Sequence, residues 1–401
     1  MRLYTTAQLL AQSSNIIQRS FSGNLLRIEP NGNFPIFGLS GLAKKRRILA
    51  LAHSYYTKRA VFPKVQLDGA IGGGGVTTFV CDDTSEVKAG SLLLVYKVTA
   101  GTYTAPELIR VTSVDSGTQL TVVRGVGGTT AAAIADNTVL IEVGNSYGEG
   151  SNMPTARSIS AAEHTNFTHI FRDSWDVTRT AMQVAQEPGI QQMAENKEDA
   201  AFFHAQAIEW ATLFSRKQAT TDPATGHPMR YMDGVESLII QHAPNNVVAA
   251  GATTTFKQLE TMLHPTLDFK TNRGGSNTRT IYAGSQAFTT FGEIGRASGY
   301  YELQADNTVF GTQFKRFRTT RGNWDLVEHP LLNSNDNLKS MALVADMSSF
   351  DYLFLQDTMH QETAFDTNGR DAKSGVFTTE LTMELTNPLA WGIIYNLQAA
   401  A

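Results

Sequence analysis

The clearest hydrophobic pattern in the chain predicts one long helix near the middle of the sequence. Between residues 189 and 217, apolar side chains recur at spacings of three and four, which places them on one face of an α-helix. At a rise of about 1.5 Å per residue, such a helix is about 40 Å long, and we expect it to be the spine of its domain. The predicted core face consists of Ala200, Phe203, Ala207, Trp210 and Phe214.

A second pattern, between residues 66 and 145, predicts a small inserted all-β domain. Short runs rich in β-branched and other apolar residues alternate there with turn residues at spacings of roughly 10 to 20, which is typical of a small barrel or sandwich. The predicted strands are residues 77–80, 91–96, 107–111, 119–123 and 139–143.

Glycine-rich segments bound these strands, and we interpret them as flexible joints. No Lys-Ser or Lys-Thr follows the glycine run at 72–75, so a phosphate-binding loop is not indicated. Glycine tolerates backbone conformations that other residues avoid, which suits a hinge. The predicted hinge residues are Gly72, Gly73, Gly74, Gly75, Gly144, Gly148 and Gly150.

The chain after residue 233 mixes helical and strand patterns, so the predicted fold class is α+β. Segment 376–385 alternates apolar and polar residues over an unusual length, which predicts a half-buried strand. The predicted helices are 256–263 and 285–294, and the predicted strands are 279–283, 310–318 paired with 324–328, and three strands returning to the spine helix at 342–345, 352–355 and 376–385.

The first 50 or so residues read as an extended arm. Proline, glycine and asparagine interrupt any regular element there, yet large apolar residues are interleaved, which a disordered tail normally lacks. A basic run, Lys44, Lys45, Arg46 and Arg47, closes this region. It is interpreted either as a solvated helix end or as a contact with nucleic acid or a neighbouring subunit.

The composition of the chain argues against several classes of protein. The chain has a net charge of −4 and a pI of about 6.2. It therefore lacks the excess of basic residues that is typical of a protein that binds DNA tightly. No apolar run approaches the ~20 residues of a membrane span, and the N-terminus does not resemble a signal peptide. Cys81 is the only cysteine, which excludes an internal disulfide and a cysteine-based metal site. Synthesis in a reducing cytoplasm is expected.

No motif predicts catalysis, a cofactor or a metal, so the expectation is that the chain is not an enzyme. The nine histidines form no His-Glu-x-x-His helix. Ser285 follows Gly284 between a predicted strand and helix, but the second glycine of a nucleophile elbow is missing. Residues 366–371 faintly resemble a calcium loop, but Phe377 stands where the closing glutamate is needed.

Three segments carry a resemblance to a known family. They are LTVVRGVGGTTAA at 120–132, the segment from EGS at 149 to IFRDSW ending at 175, and ELTMELTNPLAWG at 380–392. Together with the order of the elements, they resemble the major capsid proteins of tailed bacteriophages with the Hong Kong 97 type fold, in the branch with a β insertion in the extended loop. The resemblance spans about residues 50 to 397.

The resemblance implies a domain organisation that the patterns alone do not give. It implies an N-terminal arm at 1–50, an extended loop at 51–65 and 146–188 around the inserted domain at 66–145, a peripheral domain with the spine helix at 189–232 and returning strands at 341–401, and an axial domain at 233–340.

The resemblance also implies the function and the partners. Hexamers and pentamers of the chain would form an icosahedral shell enclosing double-stranded DNA with weak, non-specific contact, as part of the virion. Portal protein, and possible scaffolding and decoration proteins, would be further partners. Two alternatives stay open: an encapsulin-like compartment shell that loads enzyme cargo, and an α/β enzyme or ligand-binding protein.

Overall fold

A computed structural model describes twelve stretches of the chain, which divides into two compact units. Unit 1 comprises Met1–Tyr55 and His164–Ala401, and unit 2 comprises Tyr56–Glu163. Most of the predicted arm, the predicted helix start at 188–189 and most of the calcium-like segment lie outside the described residues. The described residues are 43–59, 62–96, 98–99, 102–103, 106–154, 156–184, 192–251, 254–270, 277–297, 304–309, 312–363 and 371–398.

The described elements mix strands and helices throughout, which confirms the predicted α+β class. The first strands are β1 Lys44–Arg47, β2 Ala52–Thr57, β3 Lys64–Gln66, β4 Thr78–Val80, β5 Ser91–Val95, β6 Val98–Thr99, β7 Thr102–Tyr103, β8 Glu107–Ser116, β9 Gln119–Val123, β10 Val139–Asn145, β11 Ala162–Phe167 and β12 His169–Thr178. They continue with β13 Gln218–Thr221, β14 Pro228–Tyr231, β15 Val247–Ala249, β16 Thr278–Ala283, β17 Gln304–Val309, β18 Thr312–Arg318, β19 Asn323–Glu328, β20 Ala342–Ala345, β21 Phe350–Thr363, β22 Ala372–Leu385 and β23 Gly392–Tyr395. The helices are α1 Arg179–Gln183, α2 Gln192–Phe214, α3 Val235–His242, α4 Phe256–Leu263, α5 Ser285–Ala297 and α6 Asp336–Lys339.

Unit 1 contains a four-stranded sheet in the order β1-β21-β22-β12, on which α2 packs. The basic run forms β1, an edge strand parallel to β21, so its interpretation as a helix end is wrong. An edge position lets all four long basic side chains of β1 reach solvent, which a buried strand would not allow.

The long strand β22 confirms the alternating segment but is buried more completely than predicted. At its C-terminal end both faces are covered, and Thr382 and Glu384 are buried together with the apolar residues. The carboxylate of Glu384 is tolerated there because Arg46 and His53 bind it.

The second sheet of unit 1 has seven strands in the order β15-β23-β20-β16-β19-β18-β17. The predicted pairing of 310–318 with 324–328 is confirmed by antiparallel β18 and β19, with Phe310 outside the described residues. The helix at 256–263 is confirmed as α4, which begins with a capping box between Thr255 and Gln258. Segment 342–345 was wrongly assigned to the spine, because β20 pairs with β16 and β23 in this sheet.

The spine helix is observed as α2, which at 23 residues is about 35 Å long, but its buried face differs from the prediction. Of the predicted core face, Ala200 is buried, while Ala207 and Phe214 are partly buried against the main core. Trp210 is half-buried, and Phe203 is 58% exposed. The buried face is instead Ala200, His204, Ala205, Glu209, Thr212 and Leu213. The prediction is wrong for Phe203, and it omitted the buried polar residues of α2, which have hydrogen-bond partners on neighbouring elements.

Unit 2 is built on a six-stranded sheet in the order β3-β10-β5-β8-β9-β4. All five strands predicted from the sequence are present, as β4, β5, β8, β9 and β10. They alternate inward apolar and outward positions over a separate core. The core residues are Val65, Leu67, Ile71, Phe79, Cys81, Val87, Leu93, Val95, Ile109, Val111, Leu120, Val122, Ile134 and Leu140.

Candidate functional site

The first candidate surface is the edge strand β1. The side chains of Lys44, Lys45 and Arg47 are exposed, and the Nζ atom of Lys45 lies 5.4 Å from the centre of the Phe354 ring. β1 borders an open cavity of about 410 Å³ between itself and β21. The cavity is lined by Lys45, Arg46, Arg47, Phe354, Leu355, Gln356 and Asp357. A concave, basic and partly aromatic surface of this kind suits an anionic or mixed partner.

Arg46 differs from the other three basic residues because it is engaged within unit 1. Its Nε atom lies 3.1 Å from Asp351 Oδ2, and its guanidinium also binds the carboxylate of Glu384. Asp351 and Glu384 face each other across β21 and β22, and both are buried. His53 Nε2 lies 3.0 Å from Glu384 Oε2. Arg46 therefore neutralises two adjacent carboxylates and attaches β1 to the sheet.

Exposed apolar side chains form further candidate surfaces in each unit. In unit 1, Leu49 and Leu51 directly follow β1, and Leu49 is 86% exposed. In unit 2, the strand register places Ile141 beside Leu94 and Leu94 beside Leu108 on the outward face of the sheet. An antiparallel sheet whose outward face is solvated usually carries polar residues there, so apolar residues indicate a contact surface.

The predicted hinge glycines all lie within unit 2, whose ends are Tyr56 and Glu163. The run at 72–75 is held in place, because Arg124 Nη1 donates to the carbonyl of Gly73 over 2.7 Å. A side chain at Gly74 would come within 2.8 Å of the Ala131 carbonyl oxygen. Of the other three, Gly144 lies near the C-terminal end of β10, and Gly148 and Gly150 follow that strand. The observed unit is wider than the predicted 66–145, and hinge motion at these glycines stays a prediction.

The run at 72–75 is fixed by a buried ion pair that the sequence pattern did not reveal. Arg124 Nη2 lies 2.5 Å from Glu107 Oε2, and both side chains are buried. Arg124 also donates to the carbonyl of Ala132, and Glu107 accepts from the amides of Gly125 and Ala132. Each buried charge thus has several hydrogen-bond partners, which a stable buried pair requires.

A group resembling a catalytic triad lies between α2 and the four-stranded sheet. His204 Nδ1 is 2.8 Å from Asp173 Oδ2, and His204 Nε2 is 2.7 Å from Thr379 Oγ1. This is the spacing of an orienting acid, a base and a hydroxyl. The hydroxyl of Thr379 is completely buried and donates to Thr358 Oγ1 over 2.8 Å, so no substrate reaches it. The group joins the helix to three strands.

Two more polar contacts continue along the same side of α2. Glu209 Oε1 lies 3.2 Å from His329 Nε2, and both residues are fully buried. The Thr212 hydroxyl donates to the carbonyl of Ile208, so it accepts a hydrogen bond from the Tyr352 hydroxyl, 2.6 Å away. Burial and nearby Glu209 raise the pKa of Tyr352 well above its ordinary value, which keeps this donor protonated. We call the contacts made by His204, Glu209 and Thr212 the polar seam.

The polar seam is the feature that sequence reasoning missed most completely. Its residues lie one or two positions away from those of the apolar stripe, and their partners outside α2 are separated from them by between 31 and 175 residues. Within the described stretches, no cluster of three or more histidine, cysteine or acidic side chains is arranged to hold a metal ion. The helices of those stretches are also too short or too polar to cross a membrane.

Comparison with known proteins gives matches over nearly the whole chain. A family model described as SU10 major capsid protein matches residues 3–398. The major capsid protein of Pseudomonas phage PaMx41 is 28% identical over 400 residues, covering 95% of this chain and 93% of that protein.

Two solved structures show more distant likenesses. The holo-SrpI encapsulin complex from Synechococcus elongatus PCC 7942 has 11% identity and a TM-score of 0.49, with 100% of this chain and 99% of that chain covered. The capsid of Myoviridae phage XM1 has 9% identity and a TM-score of 0.44, with 96% and 100% covered. Because both TM-scores are below 0.5, the assignment of a family is based on the sequence match.

Proposed function

Because the chain belongs to the SU10 major capsid protein family, we propose that its copies form hexamers and pentamers that close into an icosahedral shell around the double-stranded DNA of a tailed phage. A phage capsid protein is a component of the virion, where its copies assemble into the shell. The observation that carries the proposal is the family match over residues 3–398, which leaves hardly any of the chain outside it.

In this proposal the functional residues are those of the contact surfaces. A shell repeats the same contacts many times, so each contact can be weak while closure of the shell stabilises the whole. The exposed Leu49 and Leu51 and the outward apolar face of unit 2 supply area for contacts between copies. Burying such apolar area is the main favourable term in association.

We assign the exposed basic side chains of β1 to contact with a neighbouring copy or with the enclosed DNA. Only Lys44, Lys45 and Arg47 are available, since Arg46 is bound by Asp351 and Glu384. Three cations on a chain of net charge −4 suit weak, non-specific contact with phosphates. Tight DNA binding needs more phosphate contacts than this strand offers.

The arm, extended loop, peripheral domain and axial domain of the Hong Kong 97 type fold are proposed with two changes to the predicted boundaries. Unit 2 extends from Tyr56 to Glu163, and β20 and β23 are proposed as part of the axial domain because they belong to its seven-stranded sheet. The helix α2 and the strands β21 and β22 are proposed as the centre of the peripheral domain. Portal, scaffolding and decoration proteins are proposed as partners of the shell.

The test is to express the full chain and examine it by size analysis and negative-stain microscopy. We expect closed icosahedral particles, and a stable monomer at high concentration would contradict the proposal. A variant with Leu49→Ser and Leu51→Ser should leave the thermal unfolding temperature of the subunit unchanged, because both side chains are exposed. The same variant should reduce the yield of particles, because it removes apolar area for contacts between copies. Nucleic acid rather than an enzyme inside the particles would separate a phage shell from an encapsulin-like compartment.

A further inference from the structure

The strands β2 and β11 pair with each other and form a two-stranded ribbon. The chain leaves unit 1 after Tyr55, in β2, and returns to it at His164, in β11. The ribbon is thus the place where both connections between the units begin. How firmly it is held to unit 1 is set by the residues of β2 and β11 that belong to unit 1.

Most of the bonds that hold the ribbon to unit 1 involve no titrating histidine. The Tyr55 hydroxyl donates to the Leu385 carbonyl over 3.0 Å. Asn166 Nδ2 donates to the Met383 carbonyl over 3.1 Å, and Asn166 Oδ1 accepts from the amide of Asp233 over 2.7 Å. Histidines contribute one further polar contact, between His53 Nε2 and Glu384 Oε2 at 3.0 Å, and a set of ring contacts.

Those rings form a continuous row from β2 to the end of α3. The centre of the His53 ring lies 6.2 Å from that of Tyr55, and Tyr55 lies 5.2 Å from His164. The row ends where His164 meets the edge of His242 at 4.6 Å, with the two ring planes at 85°. His242 is the last residue of α3, so this contact joins the ribbon to a helix of the unit 1 core.

The charges around the histidine pair disfavour two added protons. Lys217 follows α2 and its Nζ atom donates to the Thr165 carbonyl over 2.9 Å, which places an ammonium group beside the ribbon. Burial first, then His242 and Lys217, lower the pKa of His164. Burial lowers the pKa of His242, Asp233 opposes this, and Lys217 adds to it.

Among the described residues, several charged or titratable groups face the row from the elements packed against it. Asp233 accepts from the amide of Lys217 and from Gln241 Nε2, and its single negative charge is fewer than the positive charges of two imidazolium groups and Lys217. Glu384 lies at the far end of the row, against His53 and Arg46. The groups are Arg46 on β1, His53 and Tyr55 on β2, His164 on β11, Lys217 after α2, Asp233 and His242 at the two ends of α3, and Glu384 on β22.

We propose that the His164–His242 contact is an acid-sensitive latch, which holds the ribbon on unit 1 while both rings are neutral and releases it when both are protonated. Two imidazolium rings whose centres are 4.6 Å apart repel each other, and Lys217 adds to that repulsion. The remaining bonds of the ribbon keep it folded, so release loosens the ribbon without unfolding the sheets.

The direction of the pH dependence follows from the lowered pKa values. A histidine whose pKa is lower in the latched state than in the released state binds fewer protons when latched. The stabilisation is therefore fully present above about pH 6.5, the ordinary histidine pKa, and is lost as the pH falls below it.

The experiment is hydrogen exchange by mass spectrometry on the full chain, in the same assembly state at about pH 7.5 and about pH 5.5. After correction for the intrinsic effect of pH, peptides covering 52–57 and 162–167 should exchange at least about tenfold faster at the lower pH, while peptides of β22 keep their protection. An unchanged ribbon, or equal loss of protection in β22, would overturn the proposal.

Variants separate the latch from a general effect of acid. His164→Gln and His242→Phe cannot take up the proton, and the phenyl ring preserves an edge contact, so both should abolish the pH response of the ribbon. His227→Gln, in the exposed turn between β13 and β14, is the matched control and should retain it. Protection of β22 at the higher pH shows that each variant is folded, and a full response in both His164→Gln and His242→Phe would refute the latch.

Discussion

At the scale of single residues, Arg46 differs from its three basic neighbours because it binds buried carboxylates of unit 1. It lies between two buried carboxylates that face each other across neighbouring strands, Asp351 and Glu384. Two adjacent buried carboxylates repel each other, and a guanidinium between them offsets that repulsion. β1 is therefore attached to the sheet by charge neutralisation, in addition to its backbone pairing with β21.

Arg46→Met should destabilise unit 1 by about 3 kcal/mol, because it removes the cation that binds both buried carboxylates and leaves only the contact between His53 and Glu384. The free energy of unfolding from urea titration measures this loss. Arg47→Met is the matched control, since Arg47 is exposed on the same strand and should change the free energy by less than about 0.5 kcal/mol. Equal losses in the two variants would contradict the assigned role of Arg46.

The sequence could indicate that residues 44–47 are exposed and basic, but not which of them is bound. The partners of Arg46 lie more than 300 residues away along the chain. A strand of four long basic side chains also has little intrinsic preference for β structure, so its pairing with β21 is decided by tertiary contacts. Local patterns cannot reveal contacts of that kind.

At the scale of elements, the spine helix shows how an apolar stripe can mislead. The stripe through Phe203 and Trp210 has good helical spacing, yet the sheet packs against the neighbouring stripe, which includes His204 and Glu209. The rule that apolar residues lie inside assumes that buried polar groups are rare. Here each residue of the polar seam has a specific partner, so its burial is compensated.

Leu213→Ala and Phe203→Ala distinguish the observed face of α2 from the predicted one. Leu213 is 3% exposed, so its truncation should cost about 2–5 kcal/mol through lost burial and an unfilled cavity. Phe203→Ala should cost less than about 1 kcal/mol in the unassembled chain, because this side chain already contacts solvent. Chemical unfolding of both variants measures the difference. A larger loss of stability in Phe203→Ala than in Leu213→Ala would favour the predicted buried face over the observed one.

The strands of unit 2 were the most predictable elements, for a physical reason. Each alternates inward and outward residues and ends at glycine or polar turn residues, so the information lies within about ten residues. The partner strands of β20 are not local: Ala342 pairs with Ile394 and Ala283. Its four residues are buried on both faces and show no alternation, which is why its sheet was assigned wrongly.

At the scale of the whole molecule, the two units have separate hydrophobic cores. The core of unit 2 draws only on residues between Val65 and Leu140. The larger cores of unit 1 join α2, α3 and both sheets. A domain of the size of unit 2 can bury enough apolar surface to fold alone. Separate cores also mean that a substitution in one unit need not affect the stability of the other.

The fragment from Tyr56 to Glu163 should therefore fold by itself into the six-stranded sheet. Circular dichroism should show β structure and a single cooperative thermal transition, as is usual for a small domain with one core. Leu93→Ala removes a fully buried side chain from the centre of that core and should cost about 2–5 kcal/mol in the fragment. In the full, unassembled chain the same substitution should lower only the transition that the fragment reproduces, whereas Leu213→Ala should lower only the other. A disordered fragment, or a full chain in which both substitutions shift one common transition, would show that the two cores depend on each other.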